Sequence, residues 1–146
     1  MRRLPCHIRL GRDERGVAVL EFGIVSLLLM MMIYGVLTFG FVFALDHNLN
    51  HAASEGARAA ILKSTTSATT AEVEQFAVDT ARARLSFQAA EDHAEIAAAV
   101  DACSNDPAVD CITVTIDYDY DTHPIVPRLF GLGVSALNAT AVVQLD

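Results

Sequence analysis

From Phe22 to Leu45 the chain runs for 24 residues without a charged side chain. Its polar members, Ser26, Tyr34 and Thr38, can bond back to the backbone or sit near an interface. At 1.5 Å per residue such a run reaches roughly 36 Å as a helix, enough to cross a hydrocarbon layer of about 30 Å with some tilt. In lipid the backbone has to satisfy its own hydrogen bonds, which selects the helix. The front edge of the run is unusual. A basic segment ends at Arg15-Gly16, and a lone carboxylate, Glu21, follows one turn into the apolar helix.

Charge is divided unevenly along the 146 residues. Residues 1–16 hold five arginines against Asp13 and Glu14, a balance of +3, while the remainder carries five Lys/Arg against sixteen Asp/Glu, −11, which together give the net −8. Basic residues abutting a span stay on the cytoplasmic side, so the C-terminal part is expected across the membrane. An acidic exported part argues against nucleic acid as a partner, because phosphate binding wants the opposite sign. The length leaves room for one small folded domain beside the span. A cleaved secretory signal is a rival for the N-terminus, but its apolar region is about 7–15 residues and ends at a small-x-small site. This run is longer, and Val42-Phe43-Ala44 lacks the first small residue.

The stretch Arg15-Gly16-Val17-Ala18-Val19-Leu20-Glu21-Phe22, continued through Gly35, Phe39-Gly40 and Ala52-Ala53-Ser54-Glu55-Gly56-Ala57-Arg58-Ala59-Ala60, resembles the TadE-like family. Those are minor pseudopilins of the tight-adherence (Tad/Flp) pilus machinery. Gly16 with Glu21 at the fifth position after it is similar to a type IV prepilin processing site, where a peptidase cuts after the glycine. The resemblance implies cleavage between Gly16 and Val17, and an assembly contact made by Glu21. It also implies as partners a prepilin peptidase, other pilins or pseudopilins and the inner-membrane Tad assembly platform, beside the lipid bilayer itself. Phe22 stands where major Flp pilins usually carry tyrosine, which suits a minor component.

The chemistry of that junction can be followed from the residues. An ionised carboxylate inside the hydrocarbon costs about 2–4 kcal/mol at mid-depth and needs a partner. A cut after Gly16 creates one, the α-amino group of Val17, four positions before Glu21 and on the same helical face. The two can pair within one subunit, or between subunits, where they would fix an axial stagger. The plainer alternative is a carboxylate favoured by the helix N-terminus and snorkelling to the headgroups.

The helix is expected to continue beyond the membrane. Leu45, Leu49, Ala52, Ala53, Gly56, Ala57, Ala60 and Ile61 recur at helical spacing with polar residues between them. No proline interrupts residues 17–63, which predicts one helix of about 70 Å. The organisation is then a basic leader (1–16), a transmembrane helix (17–45), its extramembrane extension (46–63) and a small exported domain (64–146). In that domain Thr70 is read as the N-cap of a second helix whose face is Val73, Phe76, Ala77, Thr80, Ala81 and Leu85, ending softly near Gln88. Residues 91–102 are ambiguous, with the lean toward a strand over 96–102. Alternation through Ile112, Val114, Ile116, Tyr118 and Tyr120, and again through Leu137, Ala139, Ala141, Val143 and Leu145, gives two half-buried strands. Pro124, Pro127, Gly131 and Gly133 mark an irregular connector around Leu129-Phe130. The fold class is α+β, a long N-terminal helix and a second helix with a small antiparallel sheet of about three strands.

Cys6 falls in the leader, whereas Cys103 and Cys111 fall in the exported part, where disulfides form and persist. The pair is expected to be bridged; two free buried thiols are the alternative. His47, His51 and Glu55 form a stripe at i, i+4 and i+8 that could ligate a transition metal. The stripe drifts with each turn and has no His-Glu-x-x-His pattern, so a solvated face is the better reading and no metal is expected. Asp117, Asp119 and Asp121 lack a calcium-loop glycine and read as a polar strand face and its exit. Asn138-Ala139-Thr140 matches a glycosylation acceptor, but strand alternation explains it. No nucleophile elbow or phosphate-binding glycine loop occurs, so neither catalysis, cofactor nor small-molecule substrate is expected. The function expected is that of a TadE-like minor pilin, a structural component. A signal-anchored exported binding or sensing module that is never cut and never polymerises is the alternative.

Overall fold

The computed structural model describes residues 14–66, 68–127 and 134–145. Its elements are α1 (Glu14–Ser64), α2 (Thr70–Arg84), α3 (Gln88–His93), β1 (Glu95–Ala102), β2 (Asp110–Asp119) and β3 (Ala136–Gln144). This is the α+β class expected from the patterning. The chain divides into two units, Met1–Leu37 and Thr38–Asp146. Leader residues 1–13, with Cys6, and the Leu129-Phe130 cluster with Gly131 and Gly133 lie outside the described residues.

In the first unit the described residues are helical throughout. α1 begins at Glu14, three positions before the expected start at Val17. Val17, Val19, Leu20, Phe22, Leu27, Leu28 and Met30 are all exposed. α1 is long and apolar enough to cross a membrane, and none of its apolar window is buried within the chain. An apolar surface of this extent is what a bilayer would cover. It fits a single-pass membrane protein.

In the second unit the strands form an antiparallel meander in the order β1-β2-β3. Period-two alternation along β2 sends Ile112, Val114, Ile116 and Tyr118 into the core and leaves Asp117 and Asp119 exposed. The helices supply the other half of that core: Leu45, Leu49, Ala52, Ala53, Ala57 and Ala60 from α1, Val73, Ala77 and Ala81 from α2, and Ala90 from α3. The expected apolar face of the α1 extension is therefore the buried one, with Ile61 at its half-buried margin. On α2 the stripe is narrower than expected. Phe76 is 42% exposed, because Val73, Ala77 and Ala81 define the buried line and Phe76 lies off it.

Small residues set how closely the helices approach. A Cβ added at Gly56 would lie 2.8 Å from the Ala77 carbonyl oxygen and 2.9 Å from the Ala81 Cβ. Gly56 is thus the point where α1 and α2 touch backbone to backbone. Asn48 fixes the other end of the contact: its Nδ2 donates to the Arg84 carbonyl at 3.4 Å, and its Oδ1 accepts from the Ser86 N–H at 3.1 Å. A carbonyl left over at the α2 C-terminus and the N–H just past the Leu85 cap are satisfied by one amide.

The N-cap of α2 is Thr69, one residue before the expected Thr70. The reason is Glu72, which stands at the third helical position counted from Thr69 and completes a capping box. Its Oε2 accepts from the Thr69 N–H at 2.8 Å, while the Thr69 hydroxyl accepts from the Glu72 N–H at 3.4 Å. These bonds hold the Glu72 carboxyl below the usual carboxylate range. A depressed carboxyl stabilises above its unfolded pKa, so this cap weakens as pH falls through the folded value. Thr69→Ala is expected to cost about 1 kcal/mol, read as a melting temperature lower by about 4 °C in far-UV dichroism.

Cys103 and Cys111 are bonded, with Cα atoms 4.9 Å apart and eight residues of separation, closing the β1–β2 turn. The Cys103 N–H also donates to the Val109 carbonyl at 2.8 Å. On the chain-entropy argument a loop this short contributes about 2.5 kcal/mol. Replacing both cysteines by serine is expected to lower the melting temperature by about 10 °C, and an unchanged melt would show that the bridge adds nothing.

Candidate functional site at the leader junction

Gly16, Val17 and Glu21 all lie on the first turns of α1. Glu21 is exposed and Val17 is 67% exposed. Four positions on an α-helix is just over one turn, so the two stand on one face about 6 Å apart along the axis. The Val17 nitrogen is an ordinary amide in the intact chain. As a chain end it would be a cation at the head of the helix, where a carboxylate one turn on would be favoured both by that charge and by the dipole.

Gly16 and Gly56 contrast in what surrounds them. A Cβ at Gly16 would meet nothing within 4 Å, whereas one at Gly56 meets backbone. Glycine inside a helix costs about 1 kcal/mol relative to alanine. At Gly56 that cost is offset by close packing; at Gly16 no contact among the described residues offsets it. Gly23, Gly35 and Gly40 are likewise open.

The remaining candidates sort by their surroundings. His47 and His51 are exposed, and with Asn50, Ser54, Glu55 and Arg58 they line a shallow groove on the α1 extension. Among the described residues no three His, Cys, Asp or Glu side chains group as a metal-ligand set. The aspartates have structural partners. Asp117 accepts from the Asn138 amide. Asp119 Oδ1 accepts from the Asp121 N–H at 2.9 Å and the Thr122 N–H at 3.3 Å, turning the chain out of β2. Hydrogen bonds from Thr122 first, and then from Asp121, hold the Asp119 carboxyl below its ordinary range.

Both buried tyrosines also serve the exit from β2. Tyr118 Oη donates to the His123 carbonyl at 2.6 Å, and Tyr120 Oη accepts from the Val126 N–H at 3.2 Å. Burial first, and then the neighbouring Tyr120, raises the Tyr118 phenol above its usual value. The His93 and His123 rings stack with centroids 3.6 Å apart. Reading the sequence did not single out Asn48 or this histidine pair. Each acts across elements distant in sequence, and no local spacing signals such a contact.

Comparison with curated proteins finds no match, and comparison with solved structures finds none either. Residues 16–58 match the family TadE-like protein, the family that the Gly16–Glu21 junction and the Glu55-Gly56-Ala57-Arg58 segment resemble.

Proposed function

We propose that this chain is a prepilin-like minor subunit with a structural, non-catalytic role in assembling a Tad/Flp-type pilus or secretion apparatus. A prepilin peptidase removes residues 1–16 on the cytoplasmic side, α1 stays in the inner membrane as a single span, and the disulfide-bonded domain lies on the opposite side. The freed Val17 amine and the Glu21 carboxylate then pair, within a subunit or with a neighbouring pilin on the assembly platform. One observation carries the reading: the TadE-like match begins at Gly16 and runs unbroken through the apolar helix to Arg58.

The test is the N-terminus of the protein recovered from its own host. Processing predicts a chain beginning at Val17, and Gly16→Leu should leave the protein at full length, heavier by the leader. A native chain still beginning at Met1 in cells with an active prepilin peptidase would refute the proposal and leave a signal-anchored exported domain.

A further inference from the structure

The two edges of the sheet are not treated alike. On β1 the outward Val100 N–H donates to the Glu74 Oε1 of α2 at 3.0 Å, and the strand carries Glu95 and Asp101. Charges and a covering helix are the usual guards of a sheet edge. β3 is the other edge of the sheet; among the described residues nothing bonds to its outward backbone groups, and from Ala136 to Leu145 there is no charged residue, proline or glycine.

The register shows which groups that edge offers. The Leu145 N–H donates to the Asp110 carbonyl at 2.8 Å, and Cys111 stands opposite Gln144, Ile112 opposite Val143 and Val114 opposite Ala141. Antiparallel pairing alternates, so the odd-numbered residues of β3 bond to β2. The N–H and C=O groups of Asn138, Thr140, Val142 and Gln144 therefore point away from the sheet. The Val100–Glu74 bond fits the same alternation on the far side. Side chains reinforce the edge toward its C-terminal half. Leu137 and Ala139 are buried, but Ala141, Val143 and Leu145 are only half-buried on the core face, and Val142 on the other face is 59% exposed. Val142 thus adds one apolar side chain to the outer face where the core cover thins.

We propose that the β3 edge is a docking site for an extended β-strand of a basic partner protein. The backbone row specifies a strand as occupant. Charge specifies its flanks: from residue 17 onward the chain carries −11, and Asp110, Asp117 and Asp119 on β2 lie next to β3. A strand bordered by Lys or Arg is attracted there, and a second acidic copy of this chain is repelled. The inference stands independently of leader processing.

Hydrogen exchange on the full chain in neutral detergent tests it, with two synthetic peptides of alternating threonine and valine, one flanked by lysine pairs and one by glutamate pairs. The lysine-flanked peptide is expected to slow exchange at Asn138, Thr140, Val142 and Gln144 by at least about tenfold, and the glutamate-flanked peptide not at all. Val142→Lys should abolish the slowing and Val142→Thr should keep it, both with an unchanged melting temperature because Val142 faces solvent. No slowing with the lysine-flanked peptide overturns the site. Equal slowing by both peptides overturns the charge assignment. Slowing that grows with protein concentration alone gives the edge to a second copy and overturns the assignment of a partner protein.

Discussion

Glu21→Ala is expected to yield a protein that is cut normally and inserted normally but is missing from the assembled structure. The argument turns on where the carboxylate is costly. In a lone subunit a charge at the edge of the apolar helix is a liability, so removing it leaves insertion unchanged or easier. On the proposed pairing the same charge would be answered in an assembly by a Val17 amine, and an intramembrane ion without its partner costs about 2–4 kcal/mol. Losing that pairing should reduce incorporation on the order of 30- to 700-fold. Glu21→Gln keeps the size and hydrogen-bonding capacity and removes the charge, so it should fail as Glu21→Ala does. Glu21→Asp should retain part of the function. The measurement is the ratio of sedimentable, assembled protein to the membrane pool, with the N-terminus sequenced in each fraction. Wild-type incorporation of Glu21→Ala would remove this residue from the mechanism, and an uncut Glu21→Ala chain would assign it to peptidase recognition instead.

Gly56→Leu is the second large effect, and it acts on folding. The nearest atoms to a new Cβ are a backbone carbonyl at 2.8 Å and another helix's Cβ at 2.9 Å. Neither can swing aside as the tip of a long side chain can, so α1 and α2 have to separate. Overpacking of this kind costs typically 1–3 kcal/mol, and a leucine here falls at the upper end. A loss of about 3 kcal/mol corresponds to a melting temperature lower by about 12 °C. Gly56→Ala is the more discriminating variant. Alanine returns about 1 kcal/mol of helix propensity, yet its Cβ already meets the Ala77 oxygen, so net destabilisation is still expected. Adding Ala81→Gly should restore only part of the loss, because it removes one of the two close atoms. A melt of Gly56→Ala equal to or above wild type would show that the helices are not in backbone contact at this point.

These predictions draw on different parts of what the sequence discloses. The Glu55-Gly56-Ala57-Arg58 segment was legible as part of a family pattern, but only the packing of α1 on α2 explains why its second residue lacks a side chain. The α2 cap was misplaced by one residue for a related reason. Thr69 and Thr70 are both acceptable caps by themselves, and Glu72 decides between them by reaching back three positions and not two. Phe76 was placed on the core face because it is large and apolar, whereas alanines at 77 and 81 define a line that a phenylalanine one position away does not join.

By itself, the sequence determined whatever depends on short-range order and on transfer from water. An uncharged run of 24 residues gives a helix long enough to span a bilayer, alternation gives β2 and β3, and the separation of charge along the chain gives the orientation proposed above. It also marked the Gly16–Glu21 junction, a feature of consecutive residues. Tertiary structure alone decided which edge of the sheet α2 covers, that Asn48 holds the end of α2, and that Gly56 carries the helix crossing. Those outcomes depend on groups meeting across 20 to 40 residues of chain. Such meetings follow from the shape of the packed whole, to which no local pattern is sensitive.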